Sequence, residues 1–559
     1  MVSLSNKIRD ILVLIIWIIV IISINYIGSF SFKRFDLTSD NRFTLSDKTI
    51  DILKNLDDIV FTRVYLEGDL PKDFKRLRDA VQETLDEFRA YNKNIEYEFI
   101  NPSESPDEKT RLEIYKDLSK KGLLYRNIEQ RTADKKSEKI LFTGAILTCK
   151  GEEIPLDFLQ DQLSLTPEVI INNSIQQLEY KLISNVVKLT RKKRQKIGFL
   201  QGHGELNSAE VGDISRTLGE FYTVDGVSIL GRLDALNDYD VLIVAKPDSI
   251  VSEKDKFIID QFIMHGGKTL WLLDKVRTSM DSLRSKSTTL AVPKELNLDD
   301  MLFRYGVRIN NNLIMDLTAA KIPVVTDYLG KQRYFSWYFF PLLVPKSRNP
   351  IVHNVNTLKS EFISSIDTVS AKDIRKTPLL FTSKYSRILR TPCRVSLNIL
   401  QQAPDEQLYH GPPQITAILL EGNFKSLFDQ RIPPVLASNK DIAFKAISKP
   451  NKMIVISDGD IIKNFVSKDN KKILPLGYDR YSGITYGNRD FIMNAVNYLC
   501  DDSGLIEIRS KEFKLRLLDK EKSMNHRASW QLLNTVCPVL LIILFGIGKH
   551  IIRRKKYRL

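Results

Sequence analysis

Seven side chains in this 559-residue sequence could act together chemically. They are Gln201, His203 and Glu205 in "FLQGHGEL", Asp248 in "VLIVAKPD", Asp274 in "KTLWLLD", and Asp458 and Asp460 in "IVISDGD". Each closely follows a short apolar run. In an open parallel α/β sheet such positions lie beyond the carboxyl ends of the strands, where ligands bind. A histidine two residues from a glutamate can form an acid/base pair, and aspartates converging from neighbouring strands can hold a metal or bind a sugar. The same residues also support a plainer reading. Gly202 and Gly204 permit a tight turn, and Glu205 sits favourably near a helix N-terminus. A turn or partner-binding rim, a ligand site and a catalytic site all remain open on the residues alone.

Other chemistry is excluded by motif. "HGGKT" at 265–269 resembles the end of a phosphate-binding loop, but Phe262 stands where the earlier glycine belongs. Its glycines also end a helix and begin a strand, the reverse of the order that aims backbone N–H groups at phosphate. No G-x-S-x-G or G-x-C-x-G nucleophile elbow occurs. The four cysteines, Cys149, Cys393, Cys500 and Cys537, show neither CxxC nor zinc-ligand spacing; one disulfide is possible and none is required. No cofactor is expected.

The elements that position the seven residues follow a strand–helix rhythm. "KIGFL", "YDVLIVAKPD", "KTLWLLD" and "KMIVISDGD" read as buried strands, separated by helices around Val211–Phe221 and, capped by Ser252, through Phe262 and Ile263. Such alternation predicts a parallel sheet with helices on both faces, from residues 191–275 and 451–505, with 276–450 as a large insertion. Ahead of it, residues 33–190 predict a strand, a helix, a strand and a hairpin turning near Lys150–Gly151. A long helix through Ile171, Ile175, Leu178, Leu182 and Val186 closes that region. This order suits a thioredoxin-like α/β domain, but the redox position reads Leu66, Glu67, Gly68, Asp69 and holds no sulfur.

Both ends of the chain are apolar. Ile11–Phe32 runs 22 residues without a charge and Ala528–Gly548 runs 21; at ~1.5 Å per residue each is long enough for a bilayer core of about 30 Å. No small-x-small cleavage site follows the first, so it is expected to remain as an anchor. Pro538 is expected to bend the second. The net charge of +15 and pI near 9.3 arise from basic residues spread along the chain and gathered near its end, in the segment 506–527 and in the tail 549–559. That pattern favours a membrane surface over nucleic acid. Residues 1–10 and the tail are expected in the cytoplasm, with the bulk of the chain across the membrane.

Several long stretches carry a resemblance: "FDLTSDNRFTLSDKTIDILKNLDDIVFTRVYLEGDLPKDFKRLRDAVQETLDEF", "EYEFINP", "KIGFLQGHGEL", "DYDVLIVAKP", "NLDDMLFRYGVRINNNLIMD" and "GNRDFIMNAVNYL". They resemble, in order and over nearly the whole chain, the GldG family of gliding-motility-associated ABC transporter components of Bacteroidota. The resemblance implies a non-enzymatic inner-membrane subunit, usually regarded as substrate-binding, working with a permease and a cytoplasmic ATPase. It also implies that the parallel-sheet domain is related to the class I glutamine amidotransferase-like (flavodoxin-like) fold and to a domain of an intraflagellar transport subunit, for which sugar binding has been proposed. The amidotransferase nucleophile has no counterpart here. A membrane-anchored protein that binds or processes a glycan is the alternative expectation.

Overall fold

A computed structural model describes residues 6–30, 44–132, 135–159, 166–191, 194–325, 332–429, 431–432, 443–467, 472–501, 504–510 and 524–556. Most of the basic segment before the second apolar stretch, and Arg558 in the tail, lie outside these residues.

In the first lobe, Ser46 caps helix α2 (Asp47–Lys54), α1 being the N-terminal helix Asn6–Phe30; the Ser46 hydroxyl accepts from the Thr49 amide. Strand β1 (Val60–Val64), helix α3 (Lys72–Tyr91) and strand β2 (Ile95–Phe99) follow as the apolar spacing predicts. Leu77, Val81, Leu85 and Phe88 of α3 are buried. The charged stretch after Pro102 contains helix α4 (Glu108–Lys120), capped by Asp107, and a hairpin between Tyr125 and Phe142. Strands β3 (Gly144–Cys149) and β4 (Glu152–Asp157) complete a sheet ordered β2-β1-β3-β4, in which β1 and β2 are parallel and the other pairs antiparallel. The expected long helix is two, α5 (Pro167–Gln176) and α6 (Leu178–Thr190), divided at Gln177.

The second lobe is built on a seven-stranded sheet. Its first parallel strands are β5 (Lys196–Gln201), β6 (Thr223–Ser228), β7 (Val241–Ala245) and β8 (Lys268–Leu272), with helices α7 (Gly212–Gly219) and α8 (Glu253–Met264) between them. Strands β9 (Ile374–Phe381), β10 (Ile415–Gly422) and β11 (Asn451–Ile456) then give the order β9-β10-β11-β8-β7-β5-β6. Alternate residues of the central strands enter different cores. Ile243, Leu270 and Ile454 face α7 and helix α9 (Asn488–Cys500), while Val244, Trp271 and Val455 face α8. Burial on both faces explains why these strands read as unbroken apolar runs.

The strands from 191–275 and 451–505 run parallel to one another, and the inserted stretch adds β9 and β10, which pair antiparallel beside β11. Their addition covers an edge that β11 would otherwise expose. Strand β6 was not anticipated, because "TVDGVS" has few apolar residues and lies at the opposite edge. Part of the insertion forms its own core around Trp337, Phe339, Phe340 and Phe362, while Met301 and Tyr305 join the core under α8 and Ile351 and Leu358 the core on the other face.

Helix α10 (Arg527–Lys556) runs 30 residues with Pro538 inside it, and is long and apolar enough to cross a membrane. In α1, Ile11–Ser23 is a shorter apolar stretch. All four cysteines are free thiols.

Gly422 ends β10 with φ +145°, and an added Cβ would lie 2.0 Å from the Asp373 carbonyl oxygen. Gly422→Ala is expected to destabilise the protein by roughly 2–4 kcal/mol. Denaturant unfolding followed by tryptophan fluorescence would measure it; an unchanged midpoint would show that the β9–β10 edge does not depend on this close approach.

Candidate functional site

The strand registers bring the sequence candidates to the carboxyl ends of β5, β7, β8 and β11. Leu272 is paired with both Ala245 and Ile456, so the residues just beyond those three emerge together. The structure sorts the seven into two groups, with Asp248 and Gln201 at the side.

The first group is a clamp on His203. Its Nδ1 lies 3.1 Å from Glu205 Oε1, and its Nε2 lies 3.1 Å from Asp255 Oδ2. The other Glu205 oxygen accepts the His203 amide at 2.7 Å, and the other Asp255 oxygen accepts the Gly231 amide at 2.9 Å. With a carboxylate at each ring nitrogen, the imidazolium is the form that satisfies both. The Glu205 hydrogen bond raises the His203 pKa; burial opposes this and Asp255 reinforces it. Asp255 was missed because it sits in the first turn of α8, where an acid is accounted for by the helix dipole.

The second group surrounds Lys246, also missed, which follows β7 directly. Its ammonium pairs with Asp274 at 3.2 Å and makes a short contact with Asp460. Burial acts to discharge Lys246, but Asp460 and Asp274 more than offset it and hold it protonated. Lys246 has a left-handed φ of +54°, and an added Cβ on Gly459 would come within 2.6 Å of its side chain. Gly459 is therefore what lets β11 approach this lysine. Asp274 Oδ1 accepts the Gly459 amide at 2.6 Å. Asp458 accepts the amides of Asp460 at 2.8 Å and Glu361 at 3.1 Å. Burial, and then the neighbouring Asp460, push the Asp458 pKa well up. Glu361 comes from the insertion, and no sequence signal placed it here.

One oxygen each from Asp274, Asp458 and Asp460 lies within 4.8 Å of the others, a spacing that a hard cation could use. In this chain the Lys246 ammonium supplies a cation to two of them. Asp248 is largely exposed and pairs with Lys294 at 2.8 Å, which lowers its pKa. Gln201 donates to the Leu206 carbonyl at 3.3 Å.

The structure defines an α/β protein with inwardly neutralised strand-end carboxylates, and its C-terminal helix is compatible with membrane anchoring. Residues 194–495, more than half the chain, match the family described as an ABC-type uncharacterized transport system, and the chain belongs to that family of transport auxiliary components. Residues 39–148 match a domain of unknown function. An uncharacterized protein of Borreliella burgdorferi is 22% identical over 573 residues, covering 99% of this chain and 100% of its own. Among solved structures, the mmIFT52 N-terminal domain is similar at 12% identity and a TM-score of 0.32, over 55% of this chain and 99% of that one.

Two outcomes test the site. His203→Gln is expected to cost about 1–3 kcal/mol near pH 6. Because the folded-state pKa of His203 is raised, its contribution is complete below the unfolded value and disappears as pH rises through the folded one. The gap between wild type and variant should therefore narrow in paired thermal melts as pH rises from 6 through the folded-state value; a gap independent of pH would rule out a charged clamp. Lys246→Met should cost roughly 3–5 kcal/mol by leaving buried carboxylates without their cation. Urea titration would measure that loss, and an unchanged midpoint would mean the carboxylates are neutral without it.

Proposed function

We propose that this protein is a non-enzymatic auxiliary subunit of an ABC-type transport complex, held in a bacterial inner membrane by a helix at each end. The large α/β body stands on the extracytoplasmic side, with both termini in the cytoplasm. The observation that carries this reading is the family match over residues 194–495 in a chain that also holds α10. A permease and an ATPase are the partners, and the ATPase supplies the energy in trans, since this sequence has no phosphate loop. The resemblance over both terminal spans and "KIGFLQGHGEL" supports the finer assignment to the gliding-motility branch with a substrate-binding role. The two lobes are assigned as thioredoxin-like and amidotransferase-like on the same ground.

The site geometry favours accessory work over catalysis. Both ring nitrogens of His203 are committed to carboxylates, and both Asp458 oxygens to backbone amides. The clamped imidazole of His203 therefore keeps no ring nitrogen free for a substrate proton.

Affinity purification of the chromosomally tagged protein in mild detergent, followed by mass spectrometry, tests the assignment. Recovery of a permease and an ATPase in comparable amounts is the expected result. Recovery of the protein alone, under conditions that keep a known membrane complex intact, would overturn it.

A further inference from the structure

The second lobe has a cleft at the end of its sheet remote from His203. It forms where α6 meets the turn after α7 and the end of α9, and Lys188, Arg191, Tyr222, Asn497, Cys500 and Asp501 line it. Gln195, just ahead of β5, donates to the Cys500 carbonyl at 3.0 Å, which places the cleft at the amino end of that strand.

The lining is rich in donors. The Lys188 ammonium lies 3.8 Å from the centroid of the Phe221 ring and forms no ion pair among the described residues. Arg191 gives one guanidinium nitrogen to Gln195 Oε1 at 2.7 Å, and its remaining N–H groups outnumber that single bond. The Tyr222 hydroxyl donates to Asn497 Oδ1 at 2.8 Å, so the Asn497 amide retains its NH2 group as a donor. Asp501 turns one oxygen to the Ile506 amide at 2.7 Å. Two cations thus share a cleft, and the Lys188 ammonium lies over an aromatic face with no ion-pair partner among the described residues.

We propose that this cleft binds a small oxyanion, the carboxylate, phosphate or sulfate group of a solute, between Lys188 and Arg191. A guanidinium can present two parallel N–H groups to such an anion, and the ammonium adds a third, charge-assisted bond. The bound anion relieves the repulsion between the two cations. The cleft lies where the two lobes meet, since Tyr180 of the same helix α6 packs against the cores of both. The electrostatics agree with the geometry: burial first, and then Arg191, pull the Lys188 pKa down to about 8, while Cys500 and Glu220 act the other way. An anion beside Lys188 raises that value, so binding and protonation favour each other.

Isothermal titration of the full chain, in a neutral glycoside detergent free of lipid phosphate, tests this with sodium sulfate and sodium acetate at constant ionic strength. Neither probe changes protonation between pH 7 and 9. Saturable binding is expected, weakened at least about tenfold in Lys188→Met and in Arg191→Gln, the worth of one charge-assisted hydrogen bond. Lys188→Arg should retain binding. Wild-type affinity should fall from pH 7 to pH 9 as Lys188 loses its proton, and Lys188→Arg should not show this fall. Absence of saturable heat in the wild type overturns the proposal, as does equal binding by Lys188→Met and Arg191→Gln. If neither of those variants folds, a wild-type affinity that is flat between pH 7 and 9 overturns it as well.

Discussion

Charge neutralisation at the carboxyl end of the large sheet is the constraint on which the second lobe depends. Parallel strands deliver Lys246, Asp274 and Asp458 to neighbouring positions, and the peptide planes ending there point the same way. Carboxylates buried together are costly unless each finds a cation or N–H donors. Lys246 meets part of that need from a left-handed backbone conformation, and Gly459 removes the Cβ that would keep it away. The insertion meets another part, through the Glu361 amide on Asp458. Its neighbour Ser364 accepts from the Ser457 hydroxyl at 2.6 Å. The chain's own insertion thus lies over the crevice in which an open α/β sheet receives ligands.

A second buried carboxylate works in the same way on the face of the sheet that α8 covers. Asp260 of α8 is fully buried and accepts from the Tyr305 hydroxyl at 2.7 Å, the Ser426 hydroxyl at 2.6 Å and the Leu427 amide at 2.9 Å. Tyr305 belongs to the early part of the insertion, and Ser426 and Leu427 follow β10. One side chain therefore fastens a helix of the parallel core to two separated stretches of the insertion. Burial raises its pKa and these donors oppose the rise, the expected balance for an acid satisfied by neutral partners.

What could be read from the sequence was whatever depended on local pattern. Ser252 caps the helix it was expected to cap, since a side-chain oxygen three residues ahead of an orphan amide is a local signal. "VLIVA" and "KTLWL" read as strands because both faces are buried. The misses share a different cause. "TVDGVS" is a strand by pairing with β5 and not by its own composition. The apolar spacing through Ile171 and Val186 continues smoothly across Gln177, so nothing in the periodicity marks the division between α5 and α6. The candidate site was legible by half: His203 with Glu205, and Asp274 with Asp458 and Asp460, did come together. Their partners Asp255, Lys246 and Glu361 could not be assigned, because partnership across 52, 214 or 97 residues is decided by tertiary packing.

Those partners change what the candidates can do. A catalytic imidazole keeps one nitrogen for the substrate, and a catalytic acid or base must be able to gain and lose a proton during turnover. An imidazolium held between Glu205 and Asp255 is stabilised in one protonation state. The Asp458 oxygens are fixed on backbone amides, and the ammonium of Lys246 is held between carboxylates. The clamp on His203 and the pairs on Lys246 each lower the energy of a single charged state, which is the opposite of what a proton-transfer site requires and is what a rigid framework requires. In an auxiliary subunit such a framework has a direct use: a body whose polar groups are satisfied internally can transmit displacement from one surface to another without yielding in between.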